Sequence, residues 1–232
     1  MKLPRDLALK INWVLDQLIP PILRDSKWFM YLPLKMAFKH RVNVYLTFKE
    51  RASNMGLEEY LQCYRETAEV AFERETDLNK KSIELIIQHV KGKKILEVGC
   101  GKGLLSEMLA VKSYDVTGVD IIVPERAKYP NLKFQVANAE QLPFADDSFD
   151  TVICTHTLEH ILNFQKAVSE LRRMAKRVII VVPKQRAYKY SFDLHVNFFP
   201  YRFMLLYAMG KKDEEVICIN AKGDLFYVED KK

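Results

Sequence analysis

Lys93-Lys-Ile-Leu-Glu-Val-Gly-Cys-Gly-Lys-Gly103 decides the fold. Ile95, Leu96 and Val98 form a short apolar run suited to a buried strand, and the run opens directly into Gly99, Cys100, Gly101, Lys102 and Gly103. A helix-like stretch, Leu104 to Val111, follows at once. Strand, glycine turn and helix is the arrangement that binds a nucleotide-like ligand at the carboxyl end of a sheet. The glycines permit positive φ and let a ligand approach the backbone with no Cβ in the way.

Two acids narrow the ligand. Glu97 precedes the glycines by two positions, and a second candidate strand, Val116-Thr-Gly-Val-Asp120, ends in a carboxylate about 17 residues past Gly103. A carboxylate at that strand tip is placed to accept hydrogen bonds from ribose hydroxyls. The dinucleotide fingerprint G-x-G-x-x-G sets pyrophosphate on a helix N-terminus. Here the third glycine comes one residue early, and Glu97 would repel pyrophosphate while accepting hydrogen bonds from an amine. The physics leans away from NAD.

Outward from this centre the elements alternate. Strands are expected at 95–98, 115–119, 133–136, 150–154 and 177–182, with helices at 104–112 and 163–175. Arg177-Val-Ile-Ile-Val-Val-Pro183 is apolar almost throughout, as a central strand covered on both faces would be. Glu215 to Asn220 and Asp224 to Glu229, joined by Ala221-Lys-Gly223, read as a terminal hairpin. Upstream, Ile83, Ile86, Ile87 and Val90 form one helical face, with Thr76 or Asp77 as its cap and Gly92 as its end.

The N-terminal third is helical in pattern. Leu7, Ile11, Val14, Leu15 and Leu18 share a face that Pro20-Pro21 stop, and the first residues do not read as a signal peptide. Trp28-Phe-Met-Tyr-Leu-Pro-Leu34 is an aromatic cluster followed by Lys35, Lys39, His40 and Arg41, too short and too interrupted to span a bilayer. It suits a helical cap packed on the catalytic domain or a second subunit, or a segment lying in a membrane interface. Met55 to Glu75 is a further amphipathic helix. The soft boundary near residue 75 gives a helical extension, 1–75, and a ligand-binding domain, 76–232.

The scattered cysteines, Cys63, Cys100, Cys154 and Cys218, form no C-x-x-C pair, which argues against a zinc ribbon or disulfide scaffold and for a reducing cytosol. A net charge of +6 permits an acidic partner without demanding one. Arg172, Arg173, Lys176 and Arg177 read as the solvated end of a helix, the only cue toward RNA.

The ordered set Glu97-Val-Gly-Cys-Gly-Lys-Gly103, Val119-Asp120, Asn138-Ala-Glu-Gln-Leu-Pro-Phe144, Ser148-Phe-Asp-Thr-Val-Ile153 and Leu158-Glu-His-Ile161 resembles the class I S-adenosylmethionine-dependent methyltransferases, specifically the small-molecule group with a Leu-Pro-Phe signature. The resemblance covers roughly Lys80 to the C-terminus. It implies an α/β fold: a Rossmann-like seven-stranded sheet, mostly parallel, with a C-terminal antiparallel hairpin. It implies S-adenosylmethionine as cofactor, S-adenosylhomocysteine as product and a small-molecule acceptor.

Roles follow residue by residue from that resemblance. Gly99, Cys100, Gly101 and Gly103 line the methionine part of the cofactor, with Glu97 near its ammonium or one step behind it. Asp120 takes the ribose hydroxyls and Ile121 packs on adenine. Asn138 and Ala139 stand where the family usually has Asp-Ala, and the Asn amide oxygen can accept from the adenine amine. Thr155 and His156 face the sulfonium and the acceptor. Tyr64 and Arg74, in the segment before the first strand, are the polar groups placed to fold over the cofactor.

Methyl transfer needs a base only if the acceptor must lose a proton. His195, in Asp193-Leu-His-Val-Asn-Phe-Phe199, is the first candidate and His156 the second. His156, Glu159 and His160 resemble the Glu-x-x-Glu-His metal site of some methyltransferases, with His replacing the first Glu. Because Leu-Glu-His-Ile also occurs in members without metal, no metal is the expectation. The acceptor expected first is a sugar, sugar nucleotide or surface-polysaccharide group, on a similarity that includes Ile19-Pro-Pro-Ile-Leu-Arg-Asp25. A lipid or quinone at a membrane surface is second, and a non-catalytic cofactor sensor or partner subunit is a further alternative. Nucleic acid is not the expected partner. The protein is expected in the cytoplasm, with peripheral membrane contact through 7–41 and a homodimer both compatible with the sequence.

Overall fold

The computed structural model describes residues 11, 13–15, 18–68 and 75–231. The chain divides into two compact units, Met1–Asp77 with Ala187–Val196, and Leu78–Arg186 with Asn197–Lys232. The first unit thus recruits a ten-residue piece of chain that the sequence pattern had left inside the ligand-binding domain.

The second unit is built on a seven-stranded sheet. Its strands are β1 (Lys94–Val98), β2 (Asp115–Asp120), β3 (Leu132–Val136), β4 (Phe149–Thr155), β5 (Ala175–Pro183), β6 (Ile217–Ala221) and β7 (Asp224–Asp230), in the order β3-β2-β1-β4-β5-β7-β6. The first five run parallel, and β7 enters antiparallel between β5 and β6. This is the Rossmann-like methyltransferase arrangement. The chain order reverses at β1, so the carboxyl ends of β1, β2 and β4 surround the crevice where such sheets bind ligands.

Strand β5 shows why the sheet is central. Val178, Ile180 and Val182 enter one core with Leu171 and Leu205, while Ile179 and Val181 enter the other with Ile86 and Leu109. The two-residue alternation therefore supplies apolar side chains to both faces. Lys222 and Gly223, both with positive φ, close the β6–β7 hairpin.

The helix Lys80–His89 begins later than expected. Its cap is Asn79, whose side chain accepts from the Ser82 N–H at 2.9 Å, rather than Thr76 or Asp77. The Asn79 amide also donates to the Ala221 carbonyl and Asp224 carboxylate, each at 2.7 Å, and those long-range partners select it. The helix ends at His89, and Gly92 serves the following turn. There a Cβ would collide with Asp150, whose carboxylate accepts the N–H groups of Lys93 and Lys94.

The arginines at 172, 173 and 177 correct the expectation of a solvated cationic face. Arg172 bonds Glu229 at 2.6 Å and the Met209 carbonyl at 2.7 Å. Arg173 and Glu170 staple the Leu142-Pro-Phe144 loop, through the Phe144 carbonyl at 2.8 Å and the Leu142 N–H at 2.7 Å. Arg177 is buried and bonds Asp230 and the His89 carbonyl. Carboxylates and carbonyls far along the chain consume these charges.

The first unit contains the helices Pro21–Arg24, Lys27–Phe38, Val42–Ala52 and Leu57–Ala68. Its core stacks Phe38 on Tyr45 and sets Phe48 against Tyr60 and Tyr64. The proline pair opens a short helix, with Pro21 at its first position where no N–H is needed. No helix of the described residues is long and apolar enough to cross a membrane.

Candidate active site

The glycine loop is held by three hydrogen bonds to the end of β2. Gly99 and Cys100 donate to the Val119 carbonyl at 2.8 and 3.1 Å, and Gly101 donates to Asp120 Oδ2 at 2.9 Å. Asp120 Oδ1 accepts from Ile121 N–H at 2.6 Å. One carboxylate at the tip of β2 therefore fixes the loop after β1. Burial pushes the Asp120 carboxyl up, and its backbone N–H donors oppose that shift.

The three glycines are needed for different reasons. All adopt positive φ, but a Cβ on Gly99 would collide with Thr157, and one on Gly103 would strike Phe134. Only at Gly101 would a Cβ meet nothing within 4 Å. Internal packing imposes Gly99 and Gly103, while Gly101 borders open space and fits the close approach of a ligand. Cys100 is buried, and burial followed by the nearby Glu97 and Asp120 charges pushes its thiol well up. It offers backbone rather than a thiolate.

Glu97 is buried and accepts from the Ser106 hydroxyl of the following helix, a partner that could not be read from the sequence. Burial is the largest influence on it; the Ser106 hydrogen bond opposes and Asp120 reinforces, and its pKa rises to about 8. Glu97 thus stands one step behind the glycine loop, tied to the helix that follows it. Asn138 Oδ1 accepts the Glu140 N–H at 2.9 Å, which makes the turn after β3. A carbonyl oxygen has two lone pairs, and one acceptor position remains for a ligand amine. Ala139 is buried behind it, and Glu140 reaches the Asn163 amide at 2.7 Å. Thr155 is the buried last residue of β4, and its carbonyl accepts the Thr157 hydroxyl at 2.9 Å.

His156 is largely enclosed by the second unit. It has φ 48°, and its ring lies between Glu159 Oε1 at 3.5 Å from Nδ1 and Asp224 Oδ1 at 3.6 Å from Nε2. Burial opposes its charge, but the two carboxylates outweigh burial and raise its pKa to about 10. A protonated imidazole is neither a general base nor a metal ligand. While protonated, His156 acts as an ion-pair partner of Glu159 and Asp224. Asp224 also accepts from Ser82 at 2.8 Å and from Asn79, so this cluster ties β4, β7 and the helix Lys80–His89 together.

His195 lies in the first unit. Asp193 stands 3.6 Å from its Nδ1, accepts a 2.8 Å bond from Ser191 and faces Lys49 at 3.7 Å. The Asp193–His195 spacing was visible in the sequence, whereas Lys49 and Ser191 were not legible as its companions. The Tyr64 hydroxyl, expected to reach the cofactor, donates instead to the Leu194 carbonyl at 2.8 Å. Arg74 lies outside the described residues.

Comparison with known proteins agrees with this geometry. The methyltransferase domain family matches residues 96–180, from β1 through most of β5. Residues 96–180 thus match a methyltransferase domain, and the strand order is that of the Rossmann-like methyltransferase fold. It is similar to the ubiquinone biosynthesis O-methyltransferase of Dechloromonas aromatica, 35% identical over 114 residues, covering 43% of this chain and 48% of that one. It is also similar to the uncharacterized protein MJ0638 of Methanocaldococcus jannaschii, 33% identical over 118 residues, covering 47% and 51%. The chain thus spans about half the length of these curated relatives. The PH0226 protein from Pyrococcus horikoshii shares the fold, with a TM-score of 0.53 at 19% identity over 76% of this chain and 100% of that one.

Proposed function

We propose that this protein transfers the methyl group of S-adenosylmethionine to a hydroxyl of a small-molecule acceptor. The observation that carries the proposal is the Asp120 carboxylate bonded to Gly101, the one glycine of the loop at 99–103 whose Cβ position faces open space. Asp120 would hold the ribose, Asn138 the adenine amine, and the backbone of 99–101 the methionine portion. The cofactor supplies an activated methyl carbon, so the protein's task is to position the reactants and exclude water. For an acceptor that must lose a proton, His195 is the first candidate base, from its place in the sequence between the fifth strand and the hairpin.

Two acceptor classes follow. A sugar, sugar-nucleotide or surface-polysaccharide group rests on the Ile19–Asp25 stretch of the sequence. A quinone-type phenol is favoured by the relative named as a ubiquinone biosynthesis O-methyltransferase. Transfer of labelled methyl from S-adenosylmethionine, with phenolic quinone precursors, nucleotide sugars and RNA in parallel, separates these classes. Turnover on a phenol or sugar that His195→Ala slows about a hundredfold supports the reading. Cofactor binding with no turnover on any acceptor would replace it with a sensor or partner subunit.

A further inference from the structure

The helix Lys27–Phe38 is apolar on two opposite sides. Met30, Leu34 and Phe38, four residues apart, are fully or almost fully buried and anchor it in the first unit. Trp28, Leu32 and Met36, at the same spacing, project on the other side and are 73%, 63% and 73% exposed. Ile22, just before it, is 82% exposed. A water-facing side of a helix ordinarily carries charged and polar groups, so this outer row is built for a second apolar medium. The charges around it have one sign. Lys27, Lys35 and Lys39 are exposed beside the row, and Asp25 is the only acid from 21 to 41. Lys35 also reaches the Tyr31 hydroxyl at 3.1 Å, so an aromatic ring and a cation present together.

We propose that the face bearing Trp28, Leu32 and Met36 docks on an anionic lipid bilayer, with the apolar row in the interface and Lys27, Lys35 and Lys39 at the headgroups. An indole at the headgroup boundary, apolar neighbours one turn apart and flanking lysines form the pattern of a helix lying in the membrane plane. The inference is independent of the acceptor and of methyl transfer.

The test is co-sedimentation of the full chain with phosphatidylcholine vesicles, with and without phosphatidylglycerol. Tryptophan emission is followed in the Trp13→Phe background, since Trp13 and Trp28 are the chain's two tryptophans. Binding should need the anionic lipid and shift Trp28 emission to the blue. Each of Lys35→Gln and Lys39→Gln should weaken it about fivefold. Replacing Trp28, Leu32 and Met36 together by serine should abolish it while S-adenosylmethionine binding persists. The buried Met30, Leu34 and Phe38 are untouched in that variant. Equal binding to neutral vesicles, or none to either, would overturn the proposal. So would a dimer in vesicle-free solution that the triple variant dissolves, which would assign the face to a second copy.

Discussion

The carboxyl ends of β2 and β4 carry side chains that look equally catalytic in the sequence, yet they meet opposite fates. At β2, Asp120 bonds only backbone N–H groups and borders the open approach at Gly101. At β4, His156 lies between Glu159 and Asp224, and these groups are one another's partners inside the fold. The lesson is that partners, rather than residue type, decide whether a polar group serves a ligand or the fold. A group satisfied by backbone can exchange or add a ligand, whereas a buried ion cluster can lose no member cheaply.

Substitutions at the two ends should separate on that basis. His156→Leu should cost the most, about 3–5 kcal/mol, because it removes the cation between two buried carboxylates; urea denaturation measures it, and a loss below 1 kcal/mol would break the contrast. Gly99→Ala should follow at about 2–3 kcal/mol, since left-handed backbone and a collision with Thr157 combine. Gly101→Ala should cost only about 1 kcal/mol of stability but weaken S-adenosylmethionine binding, because its Cβ points at the ligand's approach.

The same contrast extends to pH. The folded pKa of His156 lies above its unfolded value, so its contribution is complete below about 6.5 and is lost as pH rises toward about 10. Glu97 is also raised, so its contribution is present below about 4.5 and is lost as pH rises through about 8. Denaturation midpoints across these windows should flatten in His156→Gln between about 6.5 and 10, and in Glu97→Gln between about 4.5 and 8. Glu97→Gln should change stability at pH 7 by less than about 1 kcal/mol, because the native group is already largely protonated.

Much of the sheet was legible because burial on both faces leaves an unbroken apolar run. Strand β5, expected at 177–182, spans Ala175–Pro183, and β1 and β2 differ from expectation by one residue. The glycine loop and Asp120 were legible because strand, turn and helix succeed one another locally. What escaped depends on distant partners. Asn79 becomes a cap through Ala221 and Asp224, and Arg177 becomes structural through His89 and Asp230. His156 could be paired with Glu159 three residues on, but nothing in the sequence announced Asp224 at its other nitrogen.

Calorimetric titration with S-adenosylmethionine, S-adenosylhomocysteine and NAD, in the native protein and in Asp120→Ala, tests the central claim most directly. The site as described should bind the first two, ignore NAD and lose roughly 1.5–3 kcal/mol of binding in the variant, as for a hydrogen bond to a charged group. Binding of NAD, or equal affinity in Asp120→Ala, would contradict it.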